Sequence, residues 1–441
     1  MNSMPARVAS VLLVLSLVWG CAPPVVLQAD AGSGGGAGGG GEPDAGGCGP
    51  AQWSGDLQFG TTADDELLAL VVDEAGRLTL AGYEGGVTRV TNVEPTGNAS
   101  GYVIQLTPAG ARAWEHRFDT PGTDTAETLA LGPTDGEVTV AGRTTGALTP
   151  TPNAGQFDLF VARLNAEGKV ERQVQTGRAQ PEHPTQLWLR PDGLVVVAGF
   201  DDLFVQNSTV IADDDGFVLA LDLAQEPATP RWEKRSGSAI GDRVTGLAPA
   251  PSGGGSFIAG FENGNGTFIG KLDANGEREW TLLADAFGGQ ADTLALSPAG
   301  HLVVAGGVLS PESPGGPLMP GLFVSERDAQ GAELWATTLR TSHLTRASAI
   351  AFDALGQVVV AGSTLGQFDE GPPSAGDEDL FVVRFDEAGR VSSLVQKGTA
   401  VRDVATSVAV DGCGAVFVGG FTEGALAGPN AGGRDAFVLR L

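Results

Sequence analysis

Acidic residues at recurring positions are the most numerous groups in this sequence that could carry chemistry. One set recurs in five repeated segments: Asp65, Asp124, Glu182, Asp242 and Asp403. A second set recurs later in the repeat: Asp158, Asp215, Asp379 and Asp435. Carboxylates gathered around one opening could hold cations or a basic partner. The alternative is that they hydrogen-bond turn backbones, and the sequence favours it because shared repeat positions tend to reflect what every unit needs to fold.

Other kinds of catalytic or metal-binding group are scarce. The four histidines lie in different repeats without a ligand-spaced pair, and there are only three cysteines. This is little material for a zinc cluster or a Cys–His nucleophile. We therefore expect no catalytic residues and no metal centre, and the sequence favours a non-enzymatic protein. It implies no cofactor, with calcium at the acidic positions as the one open alternative.

Composition excludes one class of partner. The chain has 441 residues with 53 acidic and 26 basic side chains, giving a formal net charge of −27. Phosphate backbones are held by basic surfaces, so nucleic acid is not an expected partner. Apolar residues make up 42% of the sequence, which is enough for a large core. Wholesale disorder is therefore not expected.

The first fifty residues have the character of an export segment and a linker. In residues 1–20 one positive side chain, Arg7, precedes an apolar run from Val8 to Trp19. That run is too short to span a membrane and suits the core of a signal peptide. Residues 21–50 are rich in glycine and nearly free of large side chains, so they predict a flexible tether.

The remaining residues, 51–441, contain seven repeats. A strand ending in Ala-Gly recurs with its glycine at Gly82, Gly142, Gly199, Gly260, Gly306, Gly362 and Gly420. A second strand follows with an aromatic residue in one register, Phe160, Phe217, Phe268, Phe323, Phe381 and Phe437, and with Val103 at that place in the first repeat. A third strand often carries tryptophan, which we expect to pack between units: Trp53, Trp114, Trp232, Trp280 and Trp335.

Each repeat therefore reads as four strands, which we name A to D in chain order. The A–B and C–D connections open on Asp or Asn in most repeats and close on Gly, as in 73–76 and 165–168. This is hairpin chemistry, with glycine at the position of positive φ. Seven four-stranded units averaging about 56 residues predict an all-β, seven-bladed β-propeller.

The ends of the repeat region predict how the ring closes. The chain stops after the seventh C strand, at 435–441, and an orphan D-type segment stands at 51–59. We expect this N-terminal strand to complete the seventh blade and remove its open edge.

The predicted fold divides the connections between two faces. The A–B and C–D turns share one face, where we expect Cys48 and Cys413 to lie together and form a disulfide in an oxidising compartment. The opposite face carries the D–A connections, the acidic set at the start of the A strands, and long, variable B–C loops. These loops are 84–100, 144–156, 201–213, 308–319, 364–377 and 422–433.

The repeat pattern resembles the seven-bladed β-propeller repeats of bacterial surface and secreted proteins over all of 51–441. That resemblance implies architecture and is nearly silent on activity. Separately, Val18-Trp19-Gly20-Cys21 resembles a bacterial lipobox. It implies cleavage before Cys21 and acylation there, and Ala22 at the next position favours the outer membrane. Two or more acyl chains would anchor the protein stably.

Together these features predict a monomeric, lipid-anchored protein of the cell envelope that binds another component without catalysis. The partner would be an envelope or extracellular protein or a glycan, and the membrane would be contacted through the lipid. The periplasmic or surface orientation stays open. One alternative is a scaffold for outer-membrane assembly, and a weaker one is a propeller hydrolase or lyase acting on glycans with a few carboxylates.

Overall fold

Seven antiparallel sheets of four strands each build the protein in this computed structural model, which confirms the predicted all-β, seven-bladed propeller. The structure describes residues 53, 55–89, 92–96, 98–201, 204–206, 209–212, 215–225, 229–236, 242–251, 254–262, 266–283, 291–311 and 318–441. Each blade runs from strand A at the ring centre, where the A strands of neighbouring blades contact one another, to strand D at the rim.

The strands of the first three blades and their bounds are as follows. Blade 1 contains β2 (Asp64–Val72), β3 (Leu78–Arg89), β5 (Ser100–Leu106) and β6 (Arg112–Phe118), with β4 (Asn92–Thr96) paired to β3. Blade 2 contains β7 (Asp124–Leu131), β8 (Val138–Thr144), β9 (Asp158–Leu164) and β10 (Val170–Thr176). Blade 3 contains β11 (Glu182–Leu189), β12 (Val195–Asp201), β15 (Gly216–Leu221) and β16 (Trp232–Ser236), with the hairpin β13 (Phe204–Gln206) and β14 (Thr209–Ala212).

The remaining four blades follow the same order. Blade 4 contains β17 (Asp242–Pro249), β18 (Ser256–Glu262), β19 (Gly266–Leu272) and β20 (Arg278–Leu283). Blade 5 contains β21 (Thr293–Leu296), β22 (Leu302–Pro311), β23 (Leu318–Arg327) and β24 (Glu333–Arg340). Blade 6 contains β25 (Thr345–Phe352), β26 (Val358–Thr364), β27 (Asp379–Phe385) and β28 (Val391–Lys397). Blade 7 contains β29 (Asp403–Val410), β30 (Val416–Thr422), β31 (Asp435–Arg440) and β1 (Leu57–Phe59).

The ring closes as the sequence predicts, through the N-terminal strand. Strand β1 pairs antiparallel with β31, and Gln58 lies opposite Phe437. The Gln58 amide donates to the carbonyl oxygen of Gly424 and to Asp435, while its oxygen accepts three backbone N–H groups from 426–428. One side chain therefore ties the first strand to the last blade.

Hydrophobic packing between blades forms the core. The buried apolar residues within the described part of the chain fall into seven clusters, one between each pair of adjacent blades. The rim tryptophans take part as predicted, because each lies on the glycine of the next blade's C–D turn. The pairs are Trp53 with Gly110, Trp114 with Gly168, Trp232 with Gly276, Trp280 with Gly331, and Trp335 with Gly389.

Threonine side chains join neighbouring A strands. Thr185, Thr245 and Thr406 each stand where the pairing register of an A strand shifts by one residue, which is a β-bulge. Their hydroxyls donate to backbone carbonyls at the A strand of the next blade: Thr185 to Val244 at 3.0 Å, Thr245 to Ala291 at 2.5 Å, and Thr406 to Leu67 at 2.6 Å. The bulge thus supplies polar contacts between blades at the ring centre.

The glycines of the Ala-Gly strands lie in mid-strand, not in a turn. Glycine is required there because the neighbouring strands come too close to leave room for a side chain. A Cβ atom on Gly142 would overlap the carbonyl oxygen of Thr125 in strand A and the Phe160 ring in strand C. The same two neighbours, an A-strand carbonyl and a C-strand aromatic ring, confront Gly82, Gly199, Gly260 and Gly362. The repeat therefore keeps glycine here because no side chain fits.

One sequence assignment needs correction at this position. Tyr102, not Val103, lies opposite Gly82 and occupies the aromatic register of blade 1. The Tyr102 hydroxyl donates to the backbone carbonyl of Glu66 at 3.0 Å. Tyrosine substitutes for phenylalanine here because that carbonyl satisfies its buried hydroxyl.

The connections divide the ring into two faces that we name from this point on. The turn face carries the A–B and C–D turns, whose glycines have positive φ as predicted: Gly76, Gly110, Gly136, Gly168, Gly193, Gly276, Gly300, Gly331, Gly356, Gly389 and Gly414. The loop face carries the D–A and B–C connections. Its B–C segments in blades 1, 3 and 5 are not plain loops, because β3–β4, β13–β14 and the long β22–β23 pair form extra hairpin structure there. In the described part of the chain, no helix is long and apolar enough to cross a membrane.

The close approach at the Ala-Gly position gives a test of this packing. We expect Gly142→Ala to lower the free energy of unfolding by about 1–3 kcal/mol, because the added methyl group displaces strand A or the Phe160 ring. The measurement is urea unfolding followed by tryptophan fluorescence. Gly412→Ala is the control, since nothing lies within 4 Å of a Cβ atom there. Equal effects of the two substitutions would contradict the packing argument.

Candidate functional site

The A-strand acids (Asp65, Asp124, Glu182, Asp242 and Asp403) stand at the loop-face end of the innermost strands, as the sequence predicts. Four of them are the first residue of their strand, and Asp65 is the second residue of β2. All five are buried, with exposures of 1%, 0%, 3%, 2% and 0% in that order. They are therefore enclosed carboxylates, and their hydrogen bonds determine what each can do.

Three of the A-strand acids are held by a threonine four residues earlier. Asp124 accepts the backbone N–H of Thr120 at 2.6 Å and its hydroxyl at 2.8 Å. Asp65 accepts the same two donors from Thr61, and Asp403 accepts them from Thr399. Burial raises the pKa of all three carboxyls, and these hydrogen bonds lower it in part.

The opposite strand supplies a further donor to each of these three acids. Thr144 at the end of β8 donates its hydroxyl to Asp124, and Thr422 at the end of β30 donates to Asp403. In blade 1 the backbone N–H of Gly85 takes this part for Asp65. These three carboxylates thus accept hydrogen bonds within their own blades. This agrees with the alternative that the recurring acids stabilise the fold.

The acids at the start of the C strands have a different partner set. Asp158, Asp379 and Asp435 each accept the backbone N–H of the alanine four residues earlier. Each also accepts the side-chain amide of a D-strand glutamine, from Gln175, Gln396 and Gln58 respectively. Sequence reasoning missed these glutamines, although each is the penultimate residue of its D strand.

Glu182 in blade 3 departs from the pattern. Arg178 replaces the threonine four residues earlier, and Asp201 replaces the threonine on strand B, directly opposite Glu182 in the register. Among the described residues, the backbone N–H of Arg178 hydrogen-bonds the Glu182 carboxylate but no side chain donates to it, and Asp201 Oδ1 has no partner. Two hydroxyl donors present in blades 2 and 7 are therefore absent, and a second carboxylate faces the first.

The charges around Glu182 are mostly negative. Burial, with the carboxylates of Asp201 and Asp158 adding to it, raises the pKa of Glu182 to about 9. Burial raises the pKa of Asp201 to about 6, although Arg235 contacts its Oδ2 and lowers that pKa in part. At neutral pH the Glu182–Asp201 pair (these two side chains) therefore retains a proton.

Buried arginines also join the loop-face ends of neighbouring blades. Arg434 of blade 7 contacts Glu66 of blade 1, and its guanidinium lies 4.5 Å above the Phe421 ring. Arg143 of blade 2 binds Glu127 at 2.6 Å and reaches His183 of blade 3 at 3.2 Å. The centre of the loop face thus carries both signs of charge rather than a purely acidic ring.

The remaining predicted groups can be placed only in part. Asp242 begins β17 opposite Glu262, which lies 4.0 Å from Arg278. Cys21 and Cys48 lie outside the described residues, and Cys413 is in the A–B turn of blade 7 on the turn face. Across the described ranges, no three His, Cys, Asp or Glu side chains are grouped so that they could hold a metal ion.

The buried acid pair makes stability depend on pH. The folded pKa of Glu182, about 9, exceeds its ordinary value of 4.5, so folding stability should fall as pH rises from about 4.5 to 9. We expect Glu182→Gln, measured in a chelating buffer, to remove part of that fall and to stabilise the protein by about 1–3 kcal/mol at pH 8.5. Urea unfolding at pH 5.5 and 8.5 measures both effects. A wild-type curve that is flat across this range and unchanged by the substitution would contradict the assignment.

Comparisons with known proteins do not identify the chain. No protein-family model matches the sequence, and no curated protein matches it. Among solved structures it is similar to a chain of a mitotic checkpoint complex (TM-score 0.47, 11% identity, 94% of this chain and 98% of that chain). It is also similar to a luciferin-regenerating enzyme (0.40, 12%, 78% and 95%) and to Sqt1 from Chaetomium thermophilum (0.43, 14%, 84% and 84%). Likeness at this level of identity does not extend to function.

Proposed function

We propose that this protein is a lipid-anchored propeller of the cell envelope that binds another protein through its loop face, without catalysis. The observation that carries the proposal is the extra hairpin structure on the loop face of blades 1, 3 and 5. The turn face has short hairpin turns in the A–B and C–D connections that are described in full, and the longer connection 222–231 of blade 3 is described only in part. Elaboration of one face of a regular scaffold is how propellers and other rigid folds present binding surfaces.

The hairpin of blade 5 offers the apolar contact area that protein partners use. Leu309 and Leu318 on this hairpin are 47% and 61% exposed, so they supply apolar surface that a partner would cover. Leu344 and Leu365 are exposed where blade 6 begins beside it. The backbone N–H of Thr341 donates to the carbonyl of Pro320, which joins the hairpin to that part of blade 6.

The point where the chain enters the ring supports an anchored arrangement. Trp53 packs on Gly110 in a turn of the turn face, so this residue of the closing segment lies on that side of the ring. A tether at 21–50 attached there would leave the loop face unobstructed. A Cys48–Cys413 disulfide on the same side would fasten the start of the closing strand to blade 7. Outer-membrane location and a monomeric state complete the proposal.

The partner surface can be tested on the blade 5 hairpin. We expect Leu309→Asp combined with Leu318→Asp to weaken binding of the captured envelope protein about tenfold or more, because charges replace apolar contacts. The assay is a pull-down from envelope extract followed by titration of the captured protein. Leu355→Asp is the matched control, since Leu355 is 74% exposed but lies in a turn on the opposite face. Equal binding by both variants would contradict a loop-face contact.

The anchor has its own test. We expect wild-type protein expressed in a bacterial host to incorporate labelled palmitate and to fractionate with membranes, and Cys21→Ser to lose both properties. Circular dichroism of the released variant controls for folding of the propeller. Membrane association that survives Cys21→Ser, or wild type without label, would count against lipidation.

A further inference from the structure

The outer strand of blade 5, β24, has one edge that no other strand of the described chain occupies. It pairs with β23 on one side only, and with eight residues it is the longest described D strand. The backbone N–H of Thr341 donates to the carbonyl of Pro320 in β23. Because successive residues of an antiparallel strand alternate between its two sides, Ala336, Thr338 and Arg340 direct their N–H and C=O groups outward.

One end of this edge already pairs with an extended segment of the chain. Phe368, in the B–C loop of blade 6, forms an antiparallel bridge with Thr341. The N–H of Asp369 donates to the outward carbonyl of Arg340 at 3.2 Å. The loop then turns away, because the N–H of Gly371 donates to the Phe368 carbonyl. The edge therefore accepts an antiparallel segment, and the loop covers only its loop-face end.

The outward N–H and C=O groups of Ala336 and Thr338 form the part of the edge that stays open, and we call them the blade 5 edge. No described residue hydrogen-bonds to these groups. Both residues are exposed, and so is Leu334 (49%) just before them. Leu282 of blade 4 lies against the turn that precedes β24 and is 39% exposed. Open backbone groups and apolar side chains therefore occur together on this rim.

Other outer strands carry charges that protect their edges, and β24 does not. Charged side chains on an edge strand hinder its pairing with another chain. Strand β6 carries Glu115 and Arg117, paired at 2.7 Å, and β10, β16 and β20 also contain charged residues in their interiors. Residues 334–339 of β24 contain none. Strand β28 also lacks charge inside, but it exposes Ser392 and Ser393 there.

We propose that the blade 5 edge binds an extended, uncharged segment of another protein, which adds to this sheet as a fifth strand antiparallel to β24. Four backbone hydrogen bonds hold the segment, two to Ala336 and two to Thr338, and its apolar side chains cover Leu334. The segment must be uncharged because a charge placed opposite 334–339 would lose water without gaining a partner.

The chemistry of the chain favours a different protein over a second copy of this one. Each copy carries a formal net charge of −27, so two copies repel each other as their rims approach. The contact goes beyond the loop-face contact proposed above, because β24 lies on the rim of the ring. Either contact can fail without the other.

The test uses a synthetic strand as the probe. It is a fluorescein-labelled hexapeptide of alternating valine and threonine, N-methylated at every second residue so that only one of its edges can pair. We expect the whole protein to bind this probe saturably in fluorescence anisotropy. The amides of Ala336 and Thr338 should then exchange with solvent about tenfold more slowly. The amides of Thr337 and Leu339, which face β23, should change little.

Variants distinguish strand addition from other contacts. Ala336→Pro removes one outward N–H without breaking the ladder to β23, and Ala336→Lys adds the kind of charge that other edges carry. Each should weaken probe binding about tenfold or more. Gln173→Pro, at the same register position of β10, is the matched control and should bind like wild type. Leu309→Asp combined with Leu318→Asp, on the loop face, should also bind like wild type.

The thermal midpoint of each variant controls for folding, and Ala336→Lys alone decides if Ala336→Pro does not fold. Wild-type protein that fails to bind the probe saturably would overturn the proposal, and so would binding that the Ala336 substitutions leave intact. A dimer in sedimentation that is lost in Ala336→Lys would show that the edge pairs with a second copy instead. Loss of probe binding in the leucine variant would move the contact to the loop face.

Discussion

Closure of the ring is the constraint on which the rest of the structure depends. Every blade has two faces to bury, and it buries them only against neighbours on both sides. The seven inter-blade clusters in the described residues satisfy this only when blade 7 meets blade 1. That meeting relies on a three-residue strand, Leu57–Phe59, and on Gln58, which is bonded to two acceptors and three donors of the last blade.

The sequence predicts the architecture well because each blade repeats the same local chemistry. Turn glycines, the Ala-Gly strand and rim tryptophans all recur, and each has one physical cause: a positive φ, a close carbonyl, or a neighbour's turn glycine. Register is harder to read from residue types. Val103 matches the sequence pattern of its strand, but pairing with Gly82 puts Tyr102 in the aromatic position. The sequence also predicts plain loops where the loop face has its extra hairpins, since nothing in the composition of these segments repeats.

The repeat pattern predicts the positions of the recurring acids but not the partners of each acid. A recurring acid is visible in the sequence, and its structural use in Asp65, Asp124 and Asp403 follows from ordinary hydrogen bonding. What sets Glu182 apart is the loss of two threonine donors, one in the D–A connection and one at the end of strand B. Only the pairing register shows that Asp201 occupies the place of Thr144 and Thr422. The difference between Glu182 and the other recurring acids can therefore be recognised only from the residues that lie next to it in the structure.

The shortness of the closing strand also has a mechanical consequence. A force applied to the chain before Trp53 acts on β1, which is held to the ring by three paired residues. The same short strand closes the ring. Arg440 shares this load through its side-chain bond to the carbonyl of Trp53, and Lys397 does so through Asp56. A covalent link between the segment before β1 and the turn of Cys413 would transmit the force to blade 7 directly, without loading the pairing of β1. The ring would then stay closed under forces that unzip the strand.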